Sequence, residues 1–343
     1  MELDVRRPIL LAPGEGEIVT DRPERTLRIL AELDDVIVTW FRYEPGQKGP
    51  DPHVHHHHTD AFYVLEGEVE VSLGPDLHTV RATPGAFAGA PPNVVHTFRN
   101  ASDATSIFLN FHVPSSGFGD HIRGKDIDFD QHDPPADGGR PFADAVFTTP
   151  EDAETLDHGT SKHRILCDLP QLTAIDMTFL PEFEGVDPHT HPDHVDAFYV
   201  LEGQVEFRIG DEPHIAGPGT FVAAPRNSVH GFRNAEAEPI RLFNLHAPPA
   251  GFVDRLRAAL GPKLLDLPAP VFALTLEALI LAESVGSQLE LVQPEGAELR
   301  AHLSEGLRQV RAGTGSGSVC TVVEVAPWSR LPEQRALLVP RDD

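Results

Sequence analysis

DAFYVLEGEVEVSL, starting at Asp60, and DAFYVLEGQVEFRI, starting at Asp196, are one stretch written twice, 136 residues apart. The same offset lays Arg28-Ile29-Leu30 on Arg164-Ile165-Leu166 and Asp51-Pro52-His53 on Asp187-Pro188-His189. Further on, PPNVVHTFRN from Pro91 matches PRNSVHGFRN from Pro225 at an offset of 134. The two-residue slip falls between GPDLHTVRATPG and GDEPHIAGPG, which reads as a hairpin loop differing in length. The match continues through NFHVPSSGF, from Asn110, and NLHAPPAGF, from Asn244. A repeat of this length means two copies of one structural unit.

Each copy reads as β structure. FYVLEGEVEVSL and FYVLEGQVEFRI alternate, are rich in Val, Phe and Tyr, and turn at Glu-Gly. Short strands recur between Gly, Pro and Asp, the pattern of a sandwich or barrel. Residues 1–118 form the first barrel and 144–256 the second, joined by a polar, Pro/Gly-rich connector over 119–143. The repeat stops after Phe252. FVDRLRAAL, from Phe252, reads as a short helix leading into an extension over 257–343, in which Leu299, Leu303, Leu307 and Val310 stand at helical spacing. VCTVVEV, from Val319, is one extra strand.

The formal charge of −26 argues against nucleic acid and against an anionic membrane surface as partners. The two cysteines, Cys167 and Cys320, form no paired motif. No apolar run is long enough to serve as a signal peptide or to span a bilayer, so a cytoplasmic location is expected.

The histidines are the chemistry-bearing part. Each copy holds His-x-His, four residues, then an acid: His53, His55 and Asp60; His189, His191 and Asp196. Each holds a later histidine after a Gly/Pro turn, His96 and His230. Residues i and i+2 of a strand share a face, so His-x-His can aim two imidazoles into a barrel, and a neighbouring strand supplies the third. Three neutral imidazoles with open positions suit a divalent transition metal, one per barrel, with Fe, Mn, Ni, Co, Cu and Zn not distinguished. The run of four histidines from His55 to His58 contains a competing pair, His55 and His57; the second copy, where His189 and His191 have no competitor, settles the alignment on His53 and His55. Both copies place a histidine two residues before the acid, His58 and His194, able to replace a ligand or shuttle a proton. His112 and His246 share a strand face with Asn110 and Asn244 and are candidates to contact substrate, as are Tyr63 and Tyr199. Asn93 and Asn227 sit where a turn needs positive φ.

HxH-x4-(acid)-x6-G followed by G-x5-P-x-N-x2-H-x3-N resembles the two signature motifs of the cupin superfamily. Gly67, Gly85, Pro91, Asn93, His96 and Asn100 carry it in copy one, and Gly203, Gly219, Pro225, Asn227, His230 and Asn234 in copy two. The resemblance implies an all-β bicupin: two tandem double-stranded β-helix (jelly-roll) barrels with short C-terminal helices. The chain departs from the motif in two respects. The opening glycines, Gly49 and Gly185, each precede the first histidine by four residues, and Asp stands where the family has Glu. Asp is one methylene shorter, which leaves open whether Asp60 and Asp196 ligate the metal or orient a histidine or bound water, serving as the catalytic base.

Among bicupins, an intact triad in both barrels resembles the quercetin 2,3-dioxygenase-like group. That implies a metal-dependent oxygenase using O2 on a small enolisable or aromatic, flavonol-like substrate, with homodimer formation common in the family. The alternatives are an oxalate-decarboxylase-like lyase and a non-enzymatic metal or small-molecule binding protein. The lyase group resembles this chain less, since Pro50-Asp51-Pro52 and Val186-Asp187-Pro188 stand where it has an arginine.

Overall fold

A computed structural model describes residues 7–210 and 212–259, with four two-residue strands between residues 291 and 310. The chain divides into two units, residues 1–254 and 255–343, and both barrels lie in the first. The first copy supplies β1 (Ile9–Leu11), β2 (Glu17–Arg22), β3 (Arg25–Glu32), β4 (Ile37–Tyr43), β5 (Thr59–Glu66), β6 (Val69–Leu73), β7 (His78–Ala82), β8 (Phe87–Ala90), β9 (His96–Arg99) and β10 (Ser106–Val113). A short helix, α1 (Phe118–Ile122), opens the connector. The second copy supplies β11 (Val146–Thr148), β12 (Glu154–Asp157), β13 (Ser161–Asp168), β14 (Thr173–Phe179), β15 (Val186–His189), β16 (Val195–Glu202), β17 (Val205–Ile209), β18 (Glu212–Ala216), β19 (Phe221–Ala224), β20 (His230–Asn234) and β21 (Ile240–Ala247), followed by α2 (Phe252–Ala259).

Each barrel is a large sheet facing a small one. Barrel one pairs β11-β8-β5-β10-β4-β3-β2 with β7-β6-β9; barrel two pairs β1-β19-β16-β21-β14-β13-β12 with β15-β20-β17-β18. The repeated segments take equivalent places, β5 beside β10 and β16 beside β21. One arrangement is absent from the linear reading. β1 pairs with β19, setting Leu10 opposite Val222, and β11 pairs with β8, setting Phe147 opposite Ala88. The strand that opens each copy therefore completes the sheet of the other barrel.

Strand alternation sorts the side chains into two layers. Phe62, Phe108, Phe41 and Val71 fill barrel one. Tyr63, Leu109, Phe111, Phe243 and Leu245 face outward and pack the two large sheets against each other. Tyr63 packs against Phe243 with the rings tilted and their centroids 4.3 Å apart. In residues 255–343, Leu299 and Val310, expected to lie on a helix, fall in two-residue strands, Glu298–Leu299 and Gln309–Val310. Gly306 stands between them and disfavours a continuous helix. Leu303, Leu307 and the strand expected over 319–325 lie outside the described residues. Among the described residues, no helix is long and apolar enough to cross a membrane.

Candidate metal centres in the two barrels

The sites are built where each small sheet meets the mouth of its barrel. His53 exchanges two backbone hydrogen bonds with His96, of 3.1 and 2.9 Å, which brings their side chains together. His189 on β15 opposes His230 on β20 in the same way. The next turn fixes the second histidine of each pair. Asn93 and Asn227, at φ 69° and 64°, each donate a backbone N–H to the carbonyl of His55 or His191, at 2.7 Å. Asn tolerates this left-handed conformation better than other side-chain-bearing residues. Asp60 and Asp196 enter from β5 and β16, opposite Ala90 and Ala224, whose small side chains leave room.

The result is a His3Asp group in each barrel. His53, His55, Asp60 and His96 offer ligand atoms within 4.8 Å of one another, and so do His189, His191, Asp196 and His230. Nδ1 of His53 and of His189 donates to the carbonyl of Asp51 or Asp187, at 2.8 Å. Nδ1 of His96 and His230 donates to the carbonyls of Val94 and Ser228, at 3.0 Å. These bonds fix the tautomer, so Nε2 turns its lone pair into the cluster. Asp60 Oδ2 lies 3.2 Å from His96 Nε2, and Asp196 Oδ2 lies 3.2 Å from His230 Nε2. The shorter acid therefore reaches the histidines. Its other oxygen is held by the side-chain N–H of Asn110 or Asn244.

The donor set fits a metal ion. His55 Nε2 is buried with no hydrogen-bond partner, a state that costs free energy unless something else takes the lone pair. In barrel two, Nε2 of His189 and Nε2 of His191 stand 3.0 Å apart. Burial pushes the His53 imidazole down to about 4, with His96 adding to the effect. Burial likewise holds His55 well below its ordinary value. Both are thus neutral near pH 7, the form that ligates. Burial alone would raise Asp196, but the imidazoles around it, His246 first, outweigh it and hold the carboxyl well below the usual range.

The remaining candidates separate clearly. His58 and His112 join the barrel-one site, while His58 spends both ring nitrogens elsewhere. Its Nδ1 meets Asp130 at 3.0 Å, and its Nε2 meets His112 Nδ1 at 2.9 Å. His112 Nε2 then faces Asp60 Oδ1 at 3.7 Å. In barrel two, His194 Nδ1 bonds Asp193 at 2.7 Å, and His246 Nε2 lies 3.2 Å from Asp196. Tyr63 and Tyr199, expected to touch substrate, lie elsewhere. Period-two alternation turns Phe62 and Phe198 inward, so the tyrosines fall in or beside the layer between the barrels. Tyr63 meets Arg241 there.

Asp130 was missed by the sequence reading. It lies in the connector, outside the repeat, and its only signal is an acid amid FDQHDP. Its carboxylate accepts the backbone N–H groups of His56 and His57 as well as His58 Nδ1. Its carbonyl meets His55 Nδ1. Phe118 stacks on His112 at 3.6 Å between centroids. A cavity of about 330 Å³ reaches the group past His53, Asp60 and His112.

Two barrels, each with three histidines and an aspartate converging inside, define a tandem-barrel β protein with a metal-binding type of centre in each half. Comparison with known proteins agrees. Residues 39–112 and 176–246 each match the family described as Cupin domain. Each barrel thus matches a cupin domain, and the two stand in tandem in this chain. Over 102 residues it is 28% identical to quercetin 2,3-dioxygenase of Bacillus subtilis, a match covering 29% of this chain and 30% of that protein. Among solved structures, the oxalate decarboxylase of Lactobacillus farciminis, in a formate complex, superposes with a TM-score of 0.51 at 12% identity, over 70% of this chain and 86% of the other. The protein YlbA of E. coli gives 0.53 at 14%, over 71% and 92%. These likenesses show the shared fold.

Proposed function

We propose that this chain is a metal-dependent oxygenase that takes O2 and a small enolisable or aromatic, flavonol-like substrate. The observation that carries the reading is the His3Asp cluster opening on a substrate-sized cavity in barrel one. The partial match to quercetin 2,3-dioxygenase supports it. A first-row divalent metal at such a centre supplies Lewis acidity and, where redox-active, one-electron chemistry toward O2.

The chain's own residues do the rest. His53, His55 and His96 hold the ion, with Nδ1 of each tied to a backbone carbonyl. Asp60, fixed by Asn110, takes the proton of a substrate hydroxyl. His112 and His58 line up from Asp60 to Asp130, a route by which that proton leaves the cavity. Phe118 and Phe129 pack over these imidazoles and exclude water. The test is O2 uptake by metal-loaded protein against a panel of flavonols, 1,3-diketones and hydroxycinnamates. Asp60→Asn should lower turnover roughly 100-fold or more. Metal-loaded protein that binds panel members yet consumes no O2 would overturn the reading.

A further inference from the structure

The barrel-one cavity does not end at the histidines. Its wall continues through Leu27 and Phe41 to Arg25 and Tyr43. Strand register fixes the order of these rows. Across β10 and β4, Asn110 opposes Thr39, Phe108 opposes Phe41 and Ser106 opposes Tyr43. Across β4 and β3, Phe41 opposes Leu27 and Tyr43 opposes Arg25. Rows two residues apart lie roughly 7 Å from each other, so the Arg25 row stands roughly 13 Å along the strands from the Asn110 row that holds Asp60. The slot thus has a ligand cluster at one end, hydrocarbon in its middle and a guanidinium at the far end.

Arg25 is the cross-strand neighbour of Tyr43, whose side chain is buried. Lys48 lines the same cavity. Among the described residues, neither Arg25 nor Lys48 forms an ion pair, in a chain with 53 acidic and 27 basic side chains. Barrel two differs at each of these places. Ser161 opposes Phe179 where Arg25 opposes Tyr43, and Glu184 stands at the repeat position of Lys48.

We propose that barrel one selects a small organic acid. One end of it sits at the histidines, a flat apolar body lies along Leu27 and Phe41, and a carboxylate meets Arg25 with Lys48 near. Barrel two does not share this selection. The inference rests on reading the barrel-one cavity as a substrate site, and it names the class of substrate.

Calorimetric titration of the full chain, metal-free and metal-loaded, with 4-hydroxycinnamate and with its amide tests it. The acid should bind at one site per chain, roughly 10-fold or more tighter than the amide, because a charge-assisted bidentate contact is lost in the amide. Arg25→Gln and, separately, the surface change Lys48→Gln should weaken the acid and leave the amide unaffected, while Arg25→Lys restores part of the difference. Equal binding of acid and amide, two equivalent sites, or no effect of Lys48→Gln together with a folded Arg25→Gln would overturn the proposal. Acid-selective binding without O2 uptake by any substrate would retire the oxygenase reading and leave acid selection standing. O2 uptake with neutral substrates alone would do the reverse.

Discussion

The two barrels share strands, register and a His3Asp group, yet their centres sit in different surroundings. In barrel one, His53 and His55 are 4% and 1% exposed. In barrel two, the His191 side chain is 19% exposed, and His189 is also only half-buried. Asp130 of the connector reaches four consecutive histidine residues in barrel one, whereas His194 relies on Asp193, its own neighbour, whose side chain is 64% exposed. A barrel, then, supplies the ligands, and the segment laid over its mouth supplies their environment. Buried donors with fixed tautomers lose less freedom on binding an ion than half-exposed ones.

The largest effect that could break this contrast is in metal retention. A fully loaded chain should hold about two ions, and His191→Ala should remove about half while leaving barrel one occupied. Under graded chelation, barrel two should empty first and barrel one second, each step lowering the melting temperature. An ion held at 100 to 1,000 times its Kd stabilises the fold by about 3–4 kcal/mol. Loss of both ions in a single step, followed by metal analysis and calorimetry, would show the two centres to be equivalent.

Asp130→Asn sharpens the comparison next. It should weaken metal binding in barrel one roughly 10- to 100-fold, as for residues that orient a ligand, and leave barrel two unchanged. Asp193→Asn, at an exposed partner, should do much less. Equal losses in the two barrels, measured by titration with one site disabled at a time, would contradict the role given to the connector.

A smaller effect is expected with pH, and here the barrels should agree. Burial pushes His53 down to about 4 and leads the shifts that bring His194 to about 4. Both folded values lie below the unfolded value near 6.5, so between pH 6.5 and 4 the unfolded chain binds more protons. The stability of metal-free protein is therefore undiminished above 6.5 and falls as the pH drops toward 4. His53→Asn and His194→Asn should each flatten the profile of melting temperature against pH. A profile unchanged in both variants would show that other groups control it.

The smallest difference lies beneath the acids. Thr39 Oγ1 donates to Asn110 Oδ1 at 3.3 Å, while Ile175 occupies the repeat position and Asn244 Oδ1 has no partner. Thr39→Val makes barrel one resemble barrel two, and should cost about 1 kcal/mol in unfolding free energy. No loss in a denaturant titration would mean that the bond contributes nothing.

Much of this was legible in the chain, for physical reasons particular to each residue. The His-x-His pairs, His96 and His230 could be found because strand periodicity and a turn needing positive φ at Asn93 and Asn227 constrain spacing locally. Repetition then resolved the run of four histidines in the first copy. Asp130 was not legible, since it approaches from a connector with no repeat and its contacts are distant in sequence. Tyr63 was misplaced because both faces of β5 are buried, so alternation of polarity did not mark which face looks inward. The anion-sized end of the cavity was invisible for a related reason: Arg25 and the histidines meet only once β3, β4 and β10 are in register.

The exchange of β1 and β11 has a consequence for anyone who would take the molecule apart. A cut in the connector near residue 130 yields two fragments, each of which keeps a strand belonging to the other's sheet and exposes an unpaired edge where its own partner is missing. Bare sheet edges recruit other chains. Either fragment alone is therefore a poor reagent for studying one barrel. Supplied together, they carry complementary edges and are suited to reassemble as a split protein.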